Sequence, residues 1–374
     1  MGDQVLHRVL QVATGEGELE ENVTRGGDRI WQGAIDLGVE ATLYAVCKRE
    51  GIEVPAFMRE RWRWHVVETM ARRRDLLEVY AHLHEALGRV LVLKGEPLAK
   101  MLYGDGYARR SGDVDVLCAP EDMEQAWRAL HERGCRALHD ERPRPWLYNQ
   151  WACAWPGSGR VVELHWGLSA PEIGEPSFED LYTRSEEVEL GGEHVRVLGR
   201  GDQLLHAGYH FHHHMGFFKG LLDVAAWSDR FGGGEDEVMA VAKRHGVGEV
   251  LRWPLRALEV VSGGSVWGGD AGVCARVLGA WTASSVRGAM ARGDVAKVLD
   301  FKTMGVAQEE VMLWRLLGLM LVEGGIRKGA RVVWRSPEMM RMERGGEKVE
   351  REDWERWARR LIWRGESRFS STER

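Results

Sequence analysis

The 374-residue chain is poor in cysteine and contains no long apolar run. Its five cysteines are odd in number and form no C-x-x-C pair, which argues against a disulfide framework and a zinc finger. No segment approaches the roughly 18 apolar residues of a membrane span, and the polar, acidic stretch 1–21 lacks the pattern of a signal peptide. We therefore expect a cytoplasmic protein with no membrane association.

Positive charge is also in short supply. With 51 Lys and Arg against 57 Asp and Glu, the net charge is -6. A broad nucleic-acid surface needs a concentrated excess of basic residues, so general nucleic-acid binding is not expected.

What the chain does contain is typical of a globular protein of several domains, with 44% hydrophobic and 29% charged residues. The patterns of apolar residues predict an α+β fold in which a small mixed sheet is flanked by helices. We divide the chain into an N-terminal helical region, a core, a helical domain and a charged C-terminal helix with its tail, at 1–88, 89–200, 201–342 and 343–374.

The N-terminal region has apolar residues at helical spacing over 34–50 and 56–87, which predicts two helices. A Gly-rich, charged segment at 24–28 is expected to be a connector. The triple arginine Arg72-Arg73-Arg74 falls within the second helix, where the simplest interpretation is a solvated face and the alternative is a phosphate contact.

The pattern changes after Arg89. A short apolar run, 90–93, predicts a buried strand that runs into a tight turn at Lys94-Gly95. A helix is predicted over 96–103, with a second strand over 113–118 and a helix that ends near Arg133. Two hairpins follow, made by 146–155 with 160–166 and by 186–190 with 194–198, before helical spacing returns at 201.

The second strand carries two carboxylates, Asp113 and Asp115. Side chains at i and i+2 project from the same face of a strand, so the pair outlines a divalent-cation site. Carboxylate oxygens suit Mg²⁺ or Mn²⁺, and Mg²⁺ is commonly completed by waters and substrate phosphates. The alternative is that the two side chains cap a turn or line a solvated strand edge.

A third carboxylate, Glu163, lies in the strand of the first hairpin that ends at Trp166. Alternation places Glu163 and His165 on one face of that strand. Three acidic ligands can hold two metal ions for an in-line phosphoryl displacement, so nucleotidyl transfer is the reaction that this set favours.

Candidate phosphate ligands lie beside the carboxylates. Gly95 permits a close approach of the backbone, and the helix after it presents free N–H groups. Lys94 precedes it, while Arg109 and Arg110 can add charge-assisted contacts, or else pair with Asp105 or face solvent. Ser111, His165 and His210 complete the predicted nucleotide-binding set.

These segments resemble a known family. The chain is similar over roughly residues 65–230 to the bacterial uncharacterised nucleotidyltransferase family of the DNA polymerase beta superfamily, some members of which are found beside lasso peptide biosynthesis genes. The matching motifs are Leu93-Lys94-Gly95-Glu96-Pro97-Leu98-Ala99, Tyr103-Gly104, Arg109, Gly112-Asp113-Val114-Asp115-Val116-Leu117, Val162-Glu163-Leu164-His165-Trp166, Leu204-Leu205-His206, His210, His214 and Leu221-Leu222-Asp223-Val224-Ala225.

The resemblance implies that Asp113, Asp115 and Glu163 are catalytic metal ligands, with Lys94 and Gly95 at the phosphate turn. It implies Mg²⁺ or Mn²⁺ as cofactor and an NTP donor that we expect to be ATP. The sequence does not identify the acceptor: a peptide or small molecule is favoured, while a protein side chain and an RNA end stay open. The chain departs from the superfamily pattern at Glu96, where Ser is usual, and in the longer gap from Gly95 to the carboxylates.

Two other functions stay open. The same fold can serve as a non-catalytic nucleotide- or peptide-binding partner in a biosynthetic assembly. A metallohydrolase centred on His206, His210 and Asp223 is the third candidate, since His206, His210 and His214 recur at i, i+4 and i+8 on one helix face. Against metal binding, this helix can simply pack near the active site with histidines that hydrogen-bond to backbone or contact substrate.

Overall fold

The computed structural model describes residues 4–15, 17–138, 143, 149–169, 173–213, 218–263 and 273–292. Within them the helices are α1 (Gln4–Thr14), α2 (Leu19–Asp36), α3 (Glu40–Glu50), α4 (Ala56–Leu87), α5 (Glu96–Tyr103), α6 (Met123–Glu132), α7 (Phe178–Thr183), α8 (Arg200–His213), α9 (Phe218–Phe231), α10 (Glu235–Arg244), α11 (Gly248–Ser262), α12 (Val273–Val286) and α13 (Ala289–Arg292). The strands are β1 (Leu91–Val92), β2 (Val114–Leu117), β3 (Arg136–Ala137), β4 (Gln150–Ala154), β5 (Val161–His165), β6 (Glu186–Leu190) and β7 (Glu193–Val197). The predicted α+β class is confirmed.

The seven strands form one mixed sheet in the order β3-β4-β5-β2-β1-β7-β6. β2 lies at its centre, parallel to β5 and antiparallel to β1, and β1 is parallel to β7. Alternation sends Val114, Val116 and Val162 into a core between the sheet and helices α4 and α6. The opposite side chains of β2 and β5 therefore carry the polar groups.

The sequence predicted the elements around the carboxylates well. The short strand before Lys94, the helix at 96–103 and the strand that follows are β1, α5 and β2. Both hairpins are present, as β4 with β5 and β6 with β7. Strong local signals fix these elements, since apolar runs are bounded by glycine-containing turns.

The N-terminal region is helical, as its spacing predicts, with two breaks at glycines. The stretch 34–50 is divided between α2 and α3, because Gly38 adopts a left-handed φ of 66° between them. The Gly-rich segment 24–28 falls within the bounds of α2, but Gly27 is not helical (φ 46°, ψ -134°), so the segment joins two helical stretches across a kink. The buried Ile30 and Trp31 follow the kink.

The first helices and the last described helices share one hydrophobic core. α1 packs against α2, α9 and α11, while α13 packs against α2. Leu10, Trp31 and Trp253 are fully buried in this core. The domain limits at 88, 200 and 342 stay predictions, and the predicted C-terminal helix at 343–374 lies outside the described residues.

No helix in the described part of the chain is both long enough and apolar enough to cross a bilayer.

A side chain of α9 caps α1 across this shared core. The carboxylate of Asp229 accepts hydrogen bonds from the backbone N–H groups of Val5 (2.9 Å) and Leu6 (2.8 Å), which no helical carbonyl can satisfy. We expect Asp229→Ala to lower the free energy of unfolding by about 1 to 2 kcal/mol, measured by urea denaturation. Asp229→Asn keeps one acceptor oxygen and should lose less. Equal unfolding midpoints for Asp229→Ala and wild type would show that the cap contributes nothing.

Candidate active site

The centre of the site is built by two adjacent parallel strands. In their register Asp115 of β2 lies directly beside Glu163 of β5, and His165 follows two residues later on the same face. One ligand atom from each of these three side chains lies within 4.8 Å of the others. The predicted pairing of Glu163 with His165 on one face is therefore present, and it is joined to Asp115.

Asp115 is a fully buried carboxylate that lies between Lys94 and His165. Its Oδ1 accepts a hydrogen bond from Lys94 Nζ at 2.8 Å and lies 3.3 Å from His165 Nε2. Burial opposes ionisation, but Lys94 and His165 outweigh it and hold the pKa of Asp115 well below its usual range. Burial likewise opposes the charge on Lys94, yet Asp115, Asp113 and Glu163 raise its pKa. Asp115 is therefore ionised at neutral pH.

The donor set fits a small divalent cation. Asp115 Oδ2 is buried and accepts no hydrogen bond among the described residues, so one strong acceptor is left for a ligand. Glu163 Oε2 lies 3.6 Å from His165 Nε2. Octahedral ligands about 2.1 Å from Mg²⁺ are roughly 3 to 4 Å apart, a spacing compatible with the Asp115, Glu163 and His165 cluster.

Asp113, the first carboxylate of the predicted pair, lies beside this cluster rather than in it. It precedes β2 and lines a partly open cleft. Ser111 Oγ donates to its Oδ1 at 3.4 Å. Asp113 raises the pKa of Lys94, as Asp115 and Glu163 do. All three predicted carboxylates therefore interact with the same ammonium group.

The turn at Gly95 forms another wall of the cleft. Gly95 has φ 86° and ψ -148°, a conformation essentially restricted to glycine. It is the N-cap residue of α5 and lines the cleft. Glu96, which stands at the usual serine position, forms a buried ion pair with Arg73, and the Arg73 Nε donates to it at 2.9 Å. Arg73 thus neutralises a carboxylate that would otherwise repel phosphate.

Arg109 and Arg110 point in different directions. Arg109 is buried, donates from Nε to Asp223 at 2.8 and 3.0 Å, and also lines the cleft. Arg110 is half-exposed and pairs with Glu40 of α3 at 3.1 Å. Neither pairs with Asp105, and their contacts with phosphate stay predictions.

The structure does not assemble the alternative His/Asp centre. Among the described residues, the only His, Cys, Asp and Glu group with metal-ligand spacing is Asp115, Glu163 and His165. Asp223 instead accepts hydrogen bonds from Arg109 and Tyr103. The rings of His206 and His210 lie 6.2 Å apart, and burial, together with Lys94 and His165, lowers the pKa of His206 to about 3. His214 lies outside the described residues.

Two further cations lie near the cleft. For Arg72 the sequence favoured a solvated face over a phosphate contact, but its side chain is only 11% exposed and lines the cleft; Lys219 was not identified from the sequence. Lys219 of α9 donates from Nζ to the carbonyl oxygen of Arg110 at 3.2 Å. The one signal for Lys219 was its position four residues before Asp223, which places both on one helix face.

The loop after β5 is held by a buried acid. Glu175 accepts hydrogen bonds from the backbone N–H groups of Leu168 and Ser169, the latter at 3.0 Å. Burial raises the pKa of Glu175 to about 7, against the lowering effect of those N–H groups and of His165. The acid therefore ties the end of the Glu163 and His165 strand to the loop.

This arrangement predicts a pH-dependent stability. Below about pH 4.5 Glu175 is protonated in both folded and unfolded chains, but between pH 4.5 and 7 only the folded chain keeps the proton. Wild-type stability should therefore fall as the pH rises through this window. We compare the free energy of unfolding of Glu175→Gln with that of the wild type by urea denaturation. From pH 5 to pH 8 this difference should shift in favour of the variant by about 1 to 3 kcal/mol. Glu179→Gln is the control, since that side chain is 69% exposed. A Glu175→Gln advantage that does not change with pH would contradict the prediction.

The comparisons with known proteins place this site within a family. A family model described as uncharacterised nucleotidyltransferase matches residues 25–259, which include α4, the whole sheet and helices α8 to α10. No curated protein and no solved structure matches the chain. Because the match covers more than half of the sequence, the chain belongs to the uncharacterised nucleotidyltransferase family.

Proposed function

We propose that the protein transfers an NMP group from an NTP, with ATP the expected donor, to an acceptor hydroxyl or phosphate and releases pyrophosphate. The observation that carries this proposal is Asp115 paired in register with Glu163, with a buried carboxylate oxygen that no described residue satisfies. The acidic cluster lies within the segment that matches the family. A peptide or small molecule is the favoured acceptor.

A divalent cation, Mg²⁺ or Mn²⁺, would be held by Asp115 and Glu163, with Asp113 and His165 beside them. When bound, it supplies Lewis-acid activation and neutralises charge on the phosphate oxygens. These carboxylates offer hard oxygen ligands, as such a cation prefers.

The chain's own groups then have distinct tasks. The acceptor oxygen bonds to the α-phosphorus as the bond to the pyrophosphate oxygen breaks. Glu163, whose side chain is 23% exposed while that of Asp115 is fully buried, is the carboxylate within reach of the acceptor and accepts its proton. Lys94 carries positive charge beside the three carboxylates and, in our proposal, contacts the phosphates.

The transfer reaction can be tested without a known acceptor. Candidate peptides and small molecules are incubated with each NTP and Mg²⁺, and products are detected by mass spectrometry together with pyrophosphate release. We expect Asp115→Asn and Glu163→Gln each to lower the rate by about a thousandfold, because a preorganised charge at the reacting centre is lost. Glu124→Gln on the outer face of α6, 48% exposed, is the control.

Wild-type rates in Asp115→Asn would show that the mechanism is wrong. Metal-dependent NTP binding without product, over long incubation with every acceptor, would instead support the non-catalytic binding partner.

Metal binding has its own readout. Titration with Mn²⁺, followed by electron paramagnetic resonance, should show binding to the wild type that Asp115→Asn weakens at least tenfold, since one ligand charge is removed. His206→Gln is the matched control, because His206 lies near the cluster without belonging to it. Equal Mn²⁺ affinity in Asp115→Asn and wild type would remove Asp115 from the metal site.

A further inference from the structure

The cleft beside Asp113 is lined by more cationic than acidic side chains. It is lined by Thr69, Arg72, Arg73, Leu76, Gly95, Glu96, Arg109, Ser111, Asp113 and Val114. Three of these are arginines and two are acids. Buried cations are costly unless paired, so each needs a counter-charge from the chain or from a ligand.

Most of the cations near the cleft have strong partners. Arg73 pairs with Glu96, Lys94 with Asp115, and Arg109 Nε with Asp223. Each of these acids is buried, so each pair is shielded from water. After this pairing the cleft keeps one acid of its own, Asp113.

Arg72 and Lys219 lack such partners. Arg72 reaches one acid, Glu68, at 3.5 Å, and that side chain is 63% exposed. The only hydrogen bond of Lys219 within the described residues goes to the neutral carbonyl of Arg110. The two cations lie on different helices, α4 and α9: Arg72 lines the cleft and Lys219 contacts Arg110 beside it, and Asp113 acts on the charge of both.

Their protonation equilibria reflect the same shortage of negative charge. Burial, followed by Arg160 and Arg110, lowers the pKa of Arg72 despite Glu68 and Asp113. Burial, with Arg109 and Lys94, lowers the pKa of Lys219 to about 8 despite Asp223 and Asp113. Both groups remain cationic at neutral pH in surroundings that favour an added anion.

The geometry points to a ligand with several negative charges. Arg109 also faces the cleft, and no described residue accepts a hydrogen bond from its Nη groups. A planar guanidinium fork matches phosphate oxygens, and a lysine adds a point charge. The N-terminus of α5 at Gly95 lies at the same cleft and favours an anion as well.

We propose that Arg72 and Lys219 form a polyphosphate-binding site that holds the pyrophosphate part of the NTP, next to the reacting phosphate at Asp113 and Asp115. The inference rests on the proposed nucleotidyl transfer for the identity of the donor. In this arrangement the two cations bind the β- and γ-phosphates, which leave as pyrophosphate. They bind the donor before transfer and the released pyrophosphate after it.

Equilibrium binding tests this site without turnover. The full-length wild type and its variants are titrated by calorimetry, in the presence of Mg²⁺, with three probes: α,β-methylene-ATP, inorganic tripolyphosphate and AMP. Arg72→Gln and Lys219→Gln should each weaken binding of the first two probes by about 10- to 100-fold, the effect of losing a charge-assisted hydrogen bond. AMP has no pyrophosphate part, and its affinity should change less than about twofold.

Arg74→Gln is the matched control for Arg72. It lies two residues further along the same helix, is 73% exposed and contacts its acids at 3.8 Å, so its replacement should leave all three affinities unchanged. Arg72→Lys keeps the charge but loses the planar fork, and it should fall between wild type and Arg72→Gln. Thermal unfolding of the ligand-free variants separates a loss of binding from a loss of fold, and Lys219→Gln tests the site by itself if Arg72→Gln does not fold.

The outcomes separate this inference from the proposed function. Tripolyphosphate binding that depends on Arg72 and Lys219 supports the site even if no acceptor is ever modified. If both variants bind tripolyphosphate as tightly as the wild type does, the polyphosphate-binding site is wrong. That result would leave the proposed NMP transfer unaffected, wherever the transfer itself is detected. Equal losses for AMP and for α,β-methylene-ATP also overturn it, because the effect would then not concern the pyrophosphate part.

Discussion

The buried charge of Asp115 is the constraint on which the rest of the site depends. A carboxylate with no exposed side-chain area is tolerated only where a cation and hydrogen bonds compensate it. Lys94 supplies the charge from the turn after β1, and His165 of β5 lies within hydrogen-bond distance, so three separate segments must be assembled before the carboxylate is stable. The apolar faces of β2 and β5 supply that assembly through the core with α4 and α6.

Around this centre, three cations are each paired with a different buried acid: Lys94 with Asp115, Arg73 with Glu96, and Arg109 with Asp223. Without Arg73, Glu96 would place an uncompensated negative charge next to Gly95. Asp223 orients Arg109 and receives a hydrogen bond from Tyr103, joining α9 to α5. The helices that follow residue 200 thus contribute to the surroundings of the cleft as well as to the core.

Much of the core of the site was predictable because its signals are local. A strand followed by Lys94-Gly95, a second strand with Asp113 and Asp115, and a hairpin strand with Glu163 and His165 are each defined by short-range alternation and turn residues. Local signals were less informative where packing decides which face of a helix is buried. The favoured solvated face for Arg72 is wrong because α4 packs against β2 and turns that side chain into the cleft.

The sequence by itself determined the order of the elements, the chemical types of the ligands and the face of each strand on which they lie, since all three follow from spacing along the chain. Only the tertiary structure decided that Glu163 lies beside Asp115, and that His165 joins them while Asp113 faces the cleft. It also decided that Arg72 of α4 lines the cleft and that Lys219 of α9 contacts Arg110. The physical reason is that strand register and helix packing are set by contacts between residues far apart in sequence, and periodicity carries no information about those contacts.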